Sequence, residues 1–274
     1  MRFLKHRKLV TSIVAGAAAL MLSAPCLAQE EGSDDGPWPF VFMLRGEVDP
    51  TMMGDYSQAI QKIVGAHQQH DNGNVWAAYA RLTGAGGPKF EFYLPMSKIG
   101  EMDAWTPNFQ VVAAAYGPEE AVKIFQSVQE CWTPESLLLA YNPTVSNPAD
   151  GPYRSGPPAA AWHLKVVIEQ GAVFEYVGMV QKIVEAHKSH ENGLRWVGYS
   201  NAVGGHGNEF HYYIMMDKIG DIDGWPTNAQ VMSDAIGAEA WGEMQQRLAE
   251  IGDSESEILL FSPPHSNAGV GEDG

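Results

Sequence analysis

The chain has 274 residues, with 33 acidic against 17 basic side chains, a formal net charge of −16, and only two cysteines. So acidic a chain repels nucleic acid and anionic lipid surfaces, and two cysteines exclude a disulfide framework. With 45% of its residues hydrophobic, it has enough apolar surface to hold a core without such staples.

Arg2, Lys5, Arg7 and Lys8 precede an apolar run from Leu9 to Leu22, and small residues stand before Gln29. This predicts a secretory signal peptide over residues 1–28, cleaved after Ala28, and so a periplasmic or secreted protein. The run is too short to span a bilayer, and no other stretch is long and apolar enough, so no membrane span is expected. Cleavage removes four basic residues and no acidic one, and leaves Cys131 as the sole cysteine. Residues 29–38 read as a disordered acidic linker.

A first α+β unit follows over 39–143. Phe42 to Arg45 alternates as a half-buried strand does. Tyr56, Ile60, Ile63, Val64 and His67 recur at helical spacing. Val75 to Arg81 and Lys89 to Met96 read as a hairpin. Asn108 is placed as the N-cap of a second helical region that breaks near Gly117-Pro118 and runs to about Glu130. Leu137 to Tyr141 closes the unit as a strand. Residues 144–160 are a Pro/Gly linker; a second α+β unit spans 161–263, its last strand at Ile258 to Phe261, and 264–274 are expected to be a disordered tail.

The two units are copies. Shifted by 120 residues, Gln61-Lys62-Ile63-Val64 falls on Gln181-Lys182-Ile183-Val184, Trp76 and Tyr79 on Trp196 and Tyr199, and Pro143 and Asn147 on Pro263 and Asn267. Each copy runs β-α-β-β-α-β. That order, twice in tandem, resembles the ferredoxin-like dimeric α+β barrel superfamily, which includes antibiotic-biosynthesis-type monooxygenases and haem-binding chlorite dismutases. The resemblance implies two four-stranded sheets packed face to face with helices outside, here a pseudo-dimeric barrel made by one chain. It rests on element order and duplication, and carries over no catalytic residue.

Two constellations are candidates for chemistry. His67 and His70, with His187 and His190, form a repeated His-x-x-His pattern whose members share a helix face and could reach a metal. The preferred reading is structural, because His67 lies on the apolar stripe and His70 at a helix end. The second set follows from strand alternation. Phe42, Leu44, Trp162, Leu164, Phe90, Phe92 and Leu94 should face the helices. Met43, Arg45, His163, Lys165, Glu91, Tyr93, His211 and Tyr213 should face the other way, into a shared cavity. The first copy has Met43 and Glu91 where the second has His163 and His211.

Buried ionisable groups of this kind cluster at functional sites. Glu91, Tyr93, His163, His211 and Tyr213 are therefore the candidate catalytic residues, and His163 and His211 the candidate cofactor ligands, for haem or a metal ion. The functional expectation is a small-molecule-binding barrel, as an oxidoreductase of the monooxygenase-like or haem-dependent kind. The alternative is a non-catalytic envelope binding or interaction module.

Overall fold

The computed structural model describes residues 36–70, 74–84, 86–149 and 157–268. The expected signal peptide, most of the acidic linker and residues 269–274 lie outside that range. The first unit consists of β1 (Phe40–Glu47), α1 (Met53–Gln69), β2 (Ala77–Thr83), β3 (Lys89–Met96), α2 (Asn108–Tyr116), α3 (Pro118–Cys131) and β4 (Glu135–Tyr141). The second repeats it as β5 (Ala160–Ile168), α4 (Val173–Ser189), β6 (Val197–Val203), β7 (Glu209–Met216), α5 (Asn228–Ile236), α6 (Ala238–Ile251) and β8 (Gly252–Phe261). The second helical region of each unit divides at Gly117 and Gly237, whose φ values of 85° and 88° favour glycine.

The eight strands do not form two separate sheets. They close into one antiparallel barrel in the order β1-β3-β2-β8-β5-β7-β6-β4. The seams are β2 against β8, with Tyr79 opposite Phe261, and β4 against β6, with Tyr141 opposite Tyr199. Each seam joins the two repeats. Every edge that a four-stranded unit would leave unpaired is thereby satisfied by its sister.

The units also exchange their C-terminal segments. Residues 145–147, expected as linker, pack on the second unit: Trp196 Nε1 donates to Val145 O at 2.8 Å, and the backbones of Asn147 and Trp196 pair. Residues 265–267, expected as tail, do the same on the first: Trp76 Nε1 donates to His265 O at 2.9 Å, and the Trp76 N–H donates to Asn267 Oδ1 at 2.7 Å. Asn147 and Asn267 repeat in the sequence because each closes this reciprocal clasp, and Pro143 and Pro263 open the turn that leads into it.

Alternation then divides the side chains among three cores. Phe90, Phe92, Tyr56, Ile60, Val64 and Val111 pack between sheet and helices in the first unit. Phe210, Tyr212, Tyr176, Val180, Val184 and Val231 do so in the second. The third core lies inside the barrel and includes Val41, Met43, Leu137, Leu139, Val197, Tyr199 and Tyr213.

Two local expectations shift. Asn108 and Asn228 are the first helical residues, and Pro107 and Thr227 hold the cap positions; the Thr227 hydroxyl accepts from the Gln230 N–H at 3.1 Å. β8 begins at Gly252, six residues before the expected Ile258, because the polar run from Asp253 to Glu257 is paired along β5.

Candidate functional site

An eight-stranded barrel is just wide enough for its interior to fill with side chains. Here the filling changes character along the axis. At one mouth the register brings Val41 beside Pro95 and Ala161 beside Met215 and Leu259. With Trp38, Tyr79, Tyr93, Leu139, Tyr199 and Tyr213 they line a cavity of about 220 Å³ whose wall is overwhelmingly apolar. Its rim is built twice. Tyr79 Oη donates to Pro158 O and Tyr199 Oη to Trp38 O, each at 3.2 Å. Both the tyrosines and their acceptors are 120 residues apart.

Tyr93 and Tyr213 meet edge to face, ring centroids 5.6 Å apart, and form the floor. Beneath them the interior becomes polar. His163 stacks on Tyr213, with centroids at 4.5 Å and planes 12° apart. Its Nε2 is 3.0 Å from His211 Nδ1. Its Nδ1 is 3.4 Å from Glu91 Oε2 and 3.4 Å from Glu257 Oε1. The Tyr93 hydroxyl donates to Glu91 Oε2, and Tyr213 Oη lies 3.5 Å from Met43 Sδ. Toward the opposite end the charges form a ladder. His211 Nε2 lies 3.0 Å from Glu209 Oε1, which is 3.2 Å from Arg45; Arg45 in turn pairs with Glu135 at 2.8 Å. Lys89 pairs with Glu91 at 3.0 Å and contacts Glu257.

Burial and charge set the protonation. Burial opposes the charged form of Glu91, but His163, Lys89 and the Tyr93 hydroxyl outweigh it and hold the carboxyl well below its usual range. Burial likewise lowers His163, and Glu91 and Glu257 more than restore it, so its pKa is raised. His211 is pushed down to about 4 by burial, which its Glu209 contact only partly offsets. Burial would raise Glu209; its His211, Lys165 and Arg45 partners bring it down to about 2. Tyr93 and Tyr213 are raised well above 10 by burial and by Glu91, so both stay protonated.

Glu91, Tyr93, His163, His211 and Tyr213 thus meet in one interior, Glu91 reaching His163 across the barrel from β3 to β5. Sequence reading missed Glu257, Glu209 and Lys89 as members. A signal existed for each: the 120-residue shift sets Glu257 against Leu137, and Glu209 against Lys89. The helix histidines are elsewhere. His187 accepts from the Leu194 N–H through Nδ1 at 3.0 Å and donates from Nε2 to Asn228 Oδ1 at 2.8 Å, so neither ring nitrogen is left for a metal. His67 is buried edge-on against Trp76, as His187 is against Trp196. His190 caps α4 and accepts from the Asn192 N–H, and His70 caps α1. Among the described residues, three potential metal-ligating side chains converge at Glu91, His163 and Glu257, and no group of three includes a helix histidine.

Haem does not fit this interior. The cavity is smaller than the roughly 300–1,000 Å³ of an ordinary small-molecule site, no histidine lines it, and Tyr93 and Tyr213 separate it from His163. His163 and His211 are therefore not placed as haem ligands.

No known family profile matches the chain, and no curated protein does. Solved structures do. An anthrone oxidase-like protein matches over 81% of this chain and 91% of its own, at 12% identity and a TM-score of 0.50. A mutant chlorite dismutase from Candidatus Nitrospira defluvii matches over 84% and 94%, at 7% identity and 0.49. A dye-decolorizing peroxidase from Bacteroides thetaiotaomicron matches over 83% and 94%, at 6% identity and 0.46. The likeness is one of fold: an eight-stranded α+β barrel, here closed within a single polypeptide.

Proposed function

We propose that the barrel binds a small, largely apolar aromatic molecule in the mouth cavity and acts on it as an oxidoreductase of the monooxygenase-like kind. The observation that carries this reading is the cavity's construction: an apolar, aromatic wall with the Tyr93–Glu91 pair at its floor. Apolar walls supply affinity, and a few converging polar groups supply orientation. Glu91 is an ionised carboxylate held out of water, and the Tyr93 hydroxyl that donates to it lines the cavity, so the oxygen of Tyr93 is oriented to accept a hydrogen bond from a phenolic ligand. The name of the anthrone oxidase-like protein, alike to this chain in fold, is in keeping with an aromatic substrate.

The test is titration of the purified protein with small phenols and anthrones, followed by calorimetry, with oxygen uptake measured on each compound that binds. Saturable binding with oxygen uptake that falls at least tenfold in Tyr93→Phe supports the proposal. Binding without uptake selects a non-catalytic binding module, and no saturable binding overturns both readings. Among the described residues no helix is long and apolar enough to cross a membrane. We retain the reading of residues 1–28 as an export signal; protein isolated from the periplasm or medium should begin at Gln29, and one retaining Met1 would refute it.

A further inference from the structure

Hydrogen-bond logic fixes the histidine tautomers. Glu209 Oε1 lies 3.0 Å from His211 Nε2, and a proton on that nitrogen suits so close a carboxylate, which leaves Nδ1 its lone pair. His163 Nε2 must then donate to His211 Nδ1 across their 3.0 Å contact. His163 Nδ1 faces oxygens of two buried carboxylates, Glu91 and Glu257, at 3.4 Å each, and once it gives up its proton it presents them a lone pair. This Nδ1 makes no hydrogen bond and its side chain is 1% exposed. With that proton lost, three ligand atoms converge on one point, where a metal ion can take its place.

The spacing suits a metal ion. A charge-assisted hydrogen bond from an imidazolium to a carboxylate spans about 2.7–2.9 Å, so 3.4 Å is long for a shared proton. Two ligands each about 2.1 Å from a tetrahedrally bound ion lie about 3.4 Å apart. The surroundings also suit ligands. The other nitrogen of His163 is held by His211 and, behind it, Glu209, and Glu91 Oε2 takes the Tyr93 hydroxyl. Such outer partners orient metal-binding side chains. Nor does the fold need this set: the positions equivalent to His163 and Glu257 hold Met43 and Leu137 and are packed and fully buried.

We infer that Glu91, His163 and Glu257 form a binding site for a divalent first-row metal ion beneath the floor of the cavity. One imidazole nitrogen with two carboxylates suits manganese, iron, cobalt or zinc rather than calcium or magnesium. The ammonium of Lys89, which reaches both carboxylates from the end of β3, is the ion's competitor and must withdraw as it binds. The inference is independent of the proposed substrate.

The purified protein, stripped with a chelator, is titrated with Co²⁺ and followed by calorimetry and by visible absorption of the bound ion. The expected result is a single ion per chain at micromolar concentration, not displaced by millimolar Mg²⁺. Glu257→Gln should weaken binding at least a hundredfold, Lys89→Met should tighten it at least tenfold, and His187→Ala should leave it unchanged. If Glu257→Gln does not fold, the pair His163→Met with Glu257→Leu installs the first repeat's own residues and serves instead. No stoichiometric Co²⁺ in the wild type, equal affinity in the Glu257 variants, or weaker binding in Lys89→Met would each overturn the inference.

Discussion

The outer cores and the barrel interior come from the same duplication but have had different histories. Between sheet and helices the copies agree in kind: Tyr56 and Tyr176, Ile60 and Val180, Val64 and Val184, Trp76 and Trp196, Phe90 and Phe210 occupy equivalent places. Inside the barrel they part. Met43 corresponds to His163, Leu137 to Glu257, Glu91 to His211, and Lys89 to Glu209. Packing alone needs no such divergence, since Met43 and Leu137 fill one half at no polar cost. A polar half that the fold can do without, built from charges that must each be compensated, indicates a local task for that half.

The comparison can be broken first at the outer cores. Trp76→Ala and Trp196→Ala each remove a buried indole and a hydrogen bond to the other repeat's C-terminal segment. Each should cost about 3–5 kcal/mol in equilibrium denaturation. If the outer cores are equivalent, the two losses agree within about 1 kcal/mol; a much larger gap means one repeat carries the fold.

The interior is probed by acid. Glu209 is depressed to about 2 from an ordinary 4.5. Its contribution is fully present above pH 4.5 and is lost as pH falls toward 2, because the unfolded carboxylate takes up its proton first. That is about 3 kcal/mol. Glu209→Gln should be less stable at neutral pH by a similar amount, since it leaves Arg45 and Lys165 short of a partner. Its stability should also fall less steeply between pH 4.5 and 2, seen as a melting temperature with a shallower acid limb. An unchanged limb would show that Glu209 is not ionised in the folded interior.

The smallest effect is expected at the helix histidines. His187→Ala removes the ring that joins the Leu194 N–H to Asn228 and should cost about 1–3 kcal/mol. His67→Ala, at the equivalent place against Trp76, should cost a comparable amount. Thermal melts that moved by much less would show that the repeated histidines are kept for something other than the fold.

The sequence by itself determined the repeat, the order of elements and the phase of the strands. Apolar alternation along β1, β3, β5 and β7 is a local property, and it correctly separates Phe90 and Phe92 from Glu91 and Tyr93. It also determined that the two copies differ where side chains turn inward. Which residues meet was decided only by closing the barrel. Glu257 sits in a run of Ser, Glu and Asp that reads as loop, because its strand is stabilised by pairing with β5, almost a hundred residues earlier in the chain. Closure pairs β8 with β2 of the other copy and brings Glu257 to Lys89 of β3, and a contact across the barrel leaves no trace in local periodicity. The same holds for the clasps at residues 145–147 and 265–267, whose Pro- and Asn-rich segments have little to bury until the sister repeat offers Trp196 and Trp76.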